Sequence, residues 1–495
     1  MTLFRSAILA ATFSVLAACS GSATNPYLLP TTTDLVFEVT DEALNTCLTN
    51  IAIVYQYKEV SDITSVTCNN KGVASLAGIE TLTGLTSLNI ENNDVTDVTP
   101  LSGMSQMTAL HLGSNPVADI SSLSGLTGLT FLNIENSQVS DISVLSNMTS
   151  LASLYINGLG LTDISALTDV TTLEIIQMTD NQIADLNPLA GKPALNVLSF
   201  DNNNVTDISP LASATALAAL SFNNNNVTDV SALAELVTLF NVDADNNSIG
   251  DISSLATLVD LSRLSLRNNN VADISSLSEL TQITYLDLIG NQLTDLSVLA
   301  QLSSLRQLLV GDNNITDISA LQETTSLLLL NLSNNAIADI SPIAGNTGLV
   351  TLGLTNNPVS DLSALTDMAA LNYLSIDGSN VSDLTPISGL TSLKTLVISH
   401  TDSSDLSTLA AMGALRILEA ASTAVTDVSA LTQNVNLTTL DLSNTAVTDI
   451  SALAELTLLD TLLLSGASTL DCASITTVQQ ALPALEVVRP DHCAN

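Results

Sequence analysis

The sequence predicts an α/β solenoid: a single file of short coils, with a parallel sheet on the concave side and tight turns on the convex side. Three observations predict it. Asp recurs every 22 residues: sixteen steps from Asp97 reach Asp449 through Asp119, Asp141 and Asp163, and every step lands on Asp. Nothing interrupts the phase, as stacking demands when each coil must pair with the next. Each repeat also carries a leucine frame, as in Leu195-x-x-Leu198-x-Phe200 and Leu261-x-x-Leu264-x-Leu266, whose period-two pair fits a strand with one face inward. Finally, 46% of residues are hydrophobic, only 3% are aromatic and Trp is absent, so the core is aliphatic. A period of about 20 to 29 residues with this frame marks a leucine-rich repeat. The 495 residues therefore need not divide into several globular domains.

Charge narrows the partners. Forty-nine acids against ten bases give a formal net charge of −39. Nucleic-acid binders need a basic face, so that class is excluded. Direct adsorption to an anionic membrane is excluded on the same ground.

The chain opens with MTLFRSAILAATFSVLAACSGS, in which Arg5 precedes an apolar run from Ala7 to Ala18. That run suits a secretory signal and is too short to span a bilayer. It ends in Leu16-Ala17-Ala18-Cys19, which resembles a bacterial lipobox. The resemblance implies a lipoprotein signal peptide over 1–18, lipid on Cys19 and, with Ser20 following, an outer-membrane address. The alternative is an ordinary signal cut near Ala-x-Ala, with Cys19 incidental. Residues 19–33 read as a flexible tether.

A cap is expected over 34–68, the solenoid over 69–465 and a second cap over 466–495. Beyond Cys19 the cysteines are Cys47, Cys68, Cys472 and Cys493, two before the repeats and two after. A long solenoid keeps its ends apart, which leaves Cys47–Cys68 and Cys472–Cys493 as the pairing. Bridges of this kind need an oxidising compartment, and zinc would need all four thiolates together.

Within a coil, columns can be read from the recurring Asp. The next residue is aliphatic in all 17 repeats, and the one after it is Ser in 14, Thr at 99 and 385 and Asn at 187. Pro follows at 100, 188, 210, 342 and 386. Ser-Pro predicts a helical start with the hydroxyl as N-cap. The run is brief, so a 3₁₀ turn or a single α turn is expected. The Asp itself is expected to make an Asx turn with the N–H two residues on, rather than to hold metal. Four places before the Asp, 11 of 17 repeats have Asn. In Asn202-Asn203-Asn204, Asn203 is expected inside, bonding the backbone of adjoining turns, with its neighbours on the exposed bend. Two places before the Asp, every repeat has Val, Ile or Leu except that of Ser403. This predicts a weak coil, faster amide exchange there, and stabilisation by Ser403→Val. The opposing reading is a polar network of Ser403, Asp402 and His400.

The frame LxxLxLxxNxVxDISPL, over some 17 coils from about 66 to 465, resembles the internalin-type bacterial leucine-rich-repeat family. The resemblance implies binding or adhesion and no shared ligand. Asp41-Glu42-Ala43-Leu44 through Cys47, then Val66-Thr67-Cys68, resembles that family's N-terminal cap, with the first helix stapled over the open core. No immunoglobulin-like domain follows the repeats, so host-cell invasion is not implied.

No phosphate loop, HExxH or nucleophile elbow is present, and His111, His400 and His492 lie in different coils. No enzyme, cofactor or metal is expected. Two islands break the Ser, Asn, Asp, Thr and Ala of the concave positions. Phe131 and Tyr155, with Ile175 nearby, form one; Arg263, Arg267 and Tyr285, among Asp243, Asp245 and Asp287, form the other. Aromatics and Arg are enriched at binding hot spots; incidental exposure and mutual ion pairing are the plain alternatives. The expectation is a monomeric, lipid-anchored binding protein at the outer membrane, facing periplasm or exterior, with a protein or glycan partner. A structural or polysaccharide-associated envelope role is the alternative.

Overall fold

A computed structural model describes residues 32–493. The expected signal peptide, Cys19 and all but the end of the tether lie outside the described residues. Strand β1 (Ser65–Thr67) opens a parallel sheet of short strands that runs to β19 (Thr461–Leu463). Each strand pairs with the next in sequence at the offset that the 22-residue period dictates, as in Leu198↔Leu220 and Leu220↔Val242. The last strand, β20 (Glu486–Val488), joins β19 with Leu462 facing Val487. The central residue of each repeat strand points inward and is buried, so the leucines of successive coils form one continuous core.

Each coil leaves the sheet through a left-handed residue. Asn202, Asn224 and Asn246 take φ near 56°, 56° and 55°, and Gly158 and Gly290 occupy the same corner. Asn tolerates this region because its short polar side chain bonds locally. Here Asn224 Nδ2 donates to Asn202 Oδ1, and Asn202 Nδ2 to Asp180 Oδ1, each at 2.7 Å. The next residue in the coil is the buried asparagine. Asn203 Nδ2 donates to the carbonyls of Met178, Phe200 and Asp201 at 3.0 to 3.2 Å, and its Oδ1 accepts from Ile183 N at 2.9 Å. One side chain thus satisfies backbone groups of two coils that the sheet ladder cannot reach. The three consecutive asparagines occupy distinct environments: Asn202 exposed and left-handed, Asn203 buried, Asn204 exposed.

All 17 recurring Asp side chains accept from the N–H two residues on, at 2.7 to 2.8 Å. This is the Asx turn. It corrects the expected cap: Ser209 is the first residue of the 3₁₀ turn Ser209–Ser213, its side chain caps nothing, and Ile208 holds the preceding position. The Asp carboxylate takes the N–H of Ser209 itself, and the Leu211 N–H that the hydroxyl would cap already bonds Ile208 O at 3.0 Å. The turns are 3₁₀ rather than α because so few residues separate them from the next strand.

Helix α1 (Glu42–Tyr55) closes the first end. Asp41 accepts from Leu44 N at 2.9 Å and also from Ala74 N and Ser75 N, tying the helix to the first coil. Leu44, Leu48 and Ala52 are buried over the core, and Cys47 is bonded to Cys68 with Cα atoms 5.9 Å apart. Helix α2 (Cys472–Ala481) closes the other end with Ile475 and Val478, and Cys472 is bonded to Cys493 with Cα atoms 5.4 Å apart.

The coil at 401–405 differs from its expected flaw. Ser403 is fully buried, yet its hydroxyl is not orphaned: it donates to Val381 O at 3.3 Å and accepts from Thr401 Oγ1 at 3.0 Å. In most other coils the matching carbonyl takes a backbone N–H, as Ile183 O takes Asn204 N. The hydroxyl stands in for that donor. The alternative network fails too, since His400 Nδ1 turns to Asp377, 2.9 Å away. A second polar intrusion is Lys192, in the column of Val170 and Ala214. It is fully buried, and its Nζ donates to Leu167 O at 2.7 Å and Val170 O at 3.1 Å.

Candidate ligand-binding face

Alternate strand residues project from the sheet as parallel columns, so neighbours across the face are set by the 22-residue offset or by two residues either side of it. Phe131 opens β4 (Phe131–Asn133) and Tyr155 ends β5 (Ser153–Tyr155), so the two meet on a diagonal, with ring centroids 5.2 Å apart. The opposite diagonal brings in a histidine that the sequence does not single out. His111, at the end of β3 (Ala109–His111), stacks on Phe131 at 4.2 Å. The result is a three-ring ridge, half-exposed, with Ile175 paired to Ser153 beside it. The signal was present: 111, 131 and 155 are separated by 20 and 24 residues, one period minus or plus two.

Polar groups frame the ridge. Glu91 Oε1 lies 3.3 Å from His111 Nδ1 and accepts from Asn133 Nδ2 at 2.9 Å. The hydrogen bond with His111 holds the Glu91 carboxyl below its ordinary range, against partial burial. Glu135 accepts from Asn157 Nδ2 at 2.8 Å. Burial pushes the Tyr155 phenol upward, with Glu135 adding to it, so Tyr155 presents a neutral hydroxyl. Ordered rings of modest exposure lose little entropy on contact with a partner.

The second island is bound up within itself. Arg263 Nε lies 3.0 Å from Asp243 Oδ1, and its guanidinium carbon sits 3.7 Å from the Tyr285 ring centroid. Arg267 Nη2 lies 2.8 Å from Asp287 Oδ2, which Tyr285 also reaches with its hydroxyl at 3.3 Å. Burial raises the Asp245 carboxyl, while Ser265 and the Arg267 N–H bond it. Burial likewise raises Asp201. Both guanidiniums are paired in place beside three carboxylates, so a partner meets a preorganised surface without free positive charge.

His400, Asp402 and Ser403 do not converge: Ser403 is buried, Asp402 is exposed and His400 faces Asp377. His492 Nε2 lies 2.9 Å from Leu470 O.

Comparison with known proteins places the chain. A model of leucine-rich repeats, two copies to a match, fits residues 105–147, 281–323 and 325–367. Among solved structures, an internalin (inlF) from Listeria monocytogenes is 30% identical, covers 72% of this chain and 94% of its own, and superposes with a TM-score of 0.52. A leucine-rich-repeat protein of Leptospira interrogans is 17% identical over 87% of this chain and 96% of its own, with a TM-score of 0.51. The Arabidopsis receptor kinase HAESA, solved with the peptide hormone IDA and the co-receptor SERK1, is 21% identical over 83% of this chain and 75% of its own, with a TM-score of 0.69. The last two share the fold alone. No curated protein matches in sequence. Among the described residues, no helix is long and apolar enough to cross a membrane.

Proposed function

The chain belongs to the internalin-type leucine-rich-repeat family, and from that premise we propose that it is a lipid-anchored, extracytoplasmic binding protein whose concave sheet holds a protein partner. The single observation that carries the reading is the ridge of His111, Phe131 and Tyr155. Three contiguous rings, His111 stacked on Phe131 and Tyr155 tilted against it, form an aromatic cluster on this face, a composition typical of a hot spot. The Arg263, Arg267 and Tyr285 island is the second contact area, a preorganised surface rather than a source of free charge. Two terminal disulfides support an oxidising compartment. The lipobox-like Leu16-Ala17-Ala18-Cys19 supports an anchor on Cys19 at the outer membrane. The protein is read as a monomer without catalytic activity, cofactor or metal.

Salt-dependent capture from envelope extracts tests the reading. The wild-type protein is expected to retain a discrete protein that a Phe131→Ala/Tyr155→Ala variant releases, each alanine costing more than about 1 kcal/mol. Capture that survives both this variant and an Arg263→Ala/Arg267→Ala/Tyr285→Ala variant would move the site elsewhere. Retention of purified wall polymer alone would favour the structural envelope role. For the anchor, Cys19→Ser is expected to release the protein from membranes or block its processing; unchanged mass and fractionation would refute the lipid.

A further inference from the structure

Immediately before each strand stands a residue on the rim of the sheet. From 306 to 416 these residues are Arg306, Leu328, Val350, Asn372, Lys394 and Arg416. They form one physical row, since the N–H of each donates to the carbonyl of the one before at 2.8 to 2.9 Å. All but the half-buried Asn372 are exposed, with Leu328 at 41% and Val350 at 37%. Tyr373, next to Asn372, adds a ring that is 38% exposed.

The charges of this row are unmatched. The chain has ten Lys and Arg among 49 acids. Among the described residues, the Lys and Arg ion pairs are those of Arg263 and Arg267; Arg306, Lys394 and Arg416 make none. Along the same column the next acid is Asp460, two coils beyond Arg416. Three unpaired cations thus share one line on a surface whose charge is strongly negative, with exposed aliphatic groups between them.

We propose that this rim row is a docking strip for an extended acidic polypeptide segment of a partner, with carboxylates over Arg306 and over the Lys394/Arg416 pair and apolar side chains over Leu328, Val350 and Tyr373. Five steps between strands span about 24 Å, the reach of roughly seven extended residues. Charge complementarity selects the acidic ends and steers the encounter. The aliphatic centre selects a polypeptide over an anionic polysaccharide, which offers charge at every unit and little to cover Leu328 and Val350. The strip rests on the reading of the chain as a binding protein, but it shares no residue with the aromatic ridge.

The test uses the purified full-length protein and fluorescein-labelled octapeptides carrying two glutamates at one end, an aspartate at the other and three apolar residues between, in both directions. Saturable binding is expected. Arg306→Ala/Lys394→Ala/Arg416→Ala should weaken it at least tenfold, and Leu328→Ser/Val350→Ser at least threefold. Phe131→Ala/Tyr155→Ala should leave it unchanged. All five substituted side chains on the row are exposed, and unchanged thermal unfolding checks that each variant folds. No saturable binding, or equal binding by the triple variant, overturns the proposal. So does equal binding of polygalacturonate that ignores Leu328→Ser/Val350→Ser, which would mark a simple polyanion site. Failure here leaves the envelope capture assay standing, because that assay reads Phe131 and Tyr155.

Discussion

Replacing Asn225 should open a local breach in the solenoid whose size and pH dependence follow from its four bonds. Its Nδ2 donates to the carbonyls of Phe200, Phe222 and Asn223 at 3.0 to 3.2 Å, and its Oδ1 accepts from Val205 N at 3.0 Å. The donors are shared along the ladder: Asn203 also bonds Phe200 O, and Asn247 also bonds Phe222 O. Asn225→Ala therefore leaves those two carbonyls one donor each but orphans the buried N–H of Val205. An orphaned buried N–H costs about 1–3 kcal/mol, and the other bonds lost add about 1. The expected total is about 2–4 kcal/mol. Asn225→Asp keeps the shape and the acceptor for Val205 N–H, but its carboxylate faces three carbonyl oxygens. Burial and those dipoles raise the carboxyl above its ordinary range. The acid then binds protons more readily in the folded state, so its penalty is largest at neutral pH and shrinks as pH falls through the raised value. Urea unfolding at pH 7 and pH 5 reads the magnitude. Hydrogen exchange reads the place, because a solenoid opens coil by coil. Loss of protection should centre on residues 200–250. An Asp variant as stable as wild type at pH 7, or a loss spread evenly over all coils, would refute the reasoning.

Three further outcomes are expected. Ser403→Val adds about 1.5 kcal/mol of apolar burial but strips the hydroxyl from Val381 O, at a cost of about 1–3 kcal/mol; it should be near neutral, whereas Ser403→Ala should loosen exchange around 381 and 403, and wild-type protection there in Ser403→Ala would show the hydroxyl to be idle. Lys192→Met should stabilise the protein at pH 7: burial pushes the lysine pKa down, only partly offset by Asp169, so the unfolded chain binds the extra proton and the penalty fades as pH rises through the depressed value. Denaturation from pH 7 to 10 should show the gain narrowing, and a loss at pH 7 would show that the carbonyls of Leu167 and Val170 need the ammonium. The Asp207 carboxyl of one Asx turn is held below its ordinary range by the backbone N–H of Ser209 that it accepts; stability from this turn is present above the unfolded value and lost as pH falls through the lowered one. Asp207→Asn should therefore blunt the local acid sensitivity while keeping the turn, and an unchanged acid profile of exchange at 207–213 would count against it.

The sequence by itself determined the columns. A 22-residue coil repeats its own environment, so a residue type that recurs in phase reports where that position points. This is why the inward leucines, the buried Asn203, the exposed Asn202 and the Asx role of Asp207 could be read without coordinates. Even the two staples followed, because a stack of coils separates its ends. Only the tertiary structure decided what happens between columns. Period fixes the face, but rotamers and the diagonal step of two residues decide contact, so His111 joined Phe131 and Arg267 chose Asp287. The same holds inside. Ser403 looked like a flaw along its own column, and only the neighbouring coil, with its Val381 carbonyl lacking a backbone donor, gave the hydroxyl a partner. The Ser cap differs for a related reason: Ser209 already lies inside the 3₁₀ turn, its own N–H goes to Asp207, and the Leu211 N–H that its hydroxyl would cap is taken by Ile208 O. Along the rim, Arg306, Lys394 and Arg416 are far apart in sequence and differ from the residues between them. Stacking places them on one line, because a parallel sheet with a fixed offset turns every 22nd residue into a neighbour.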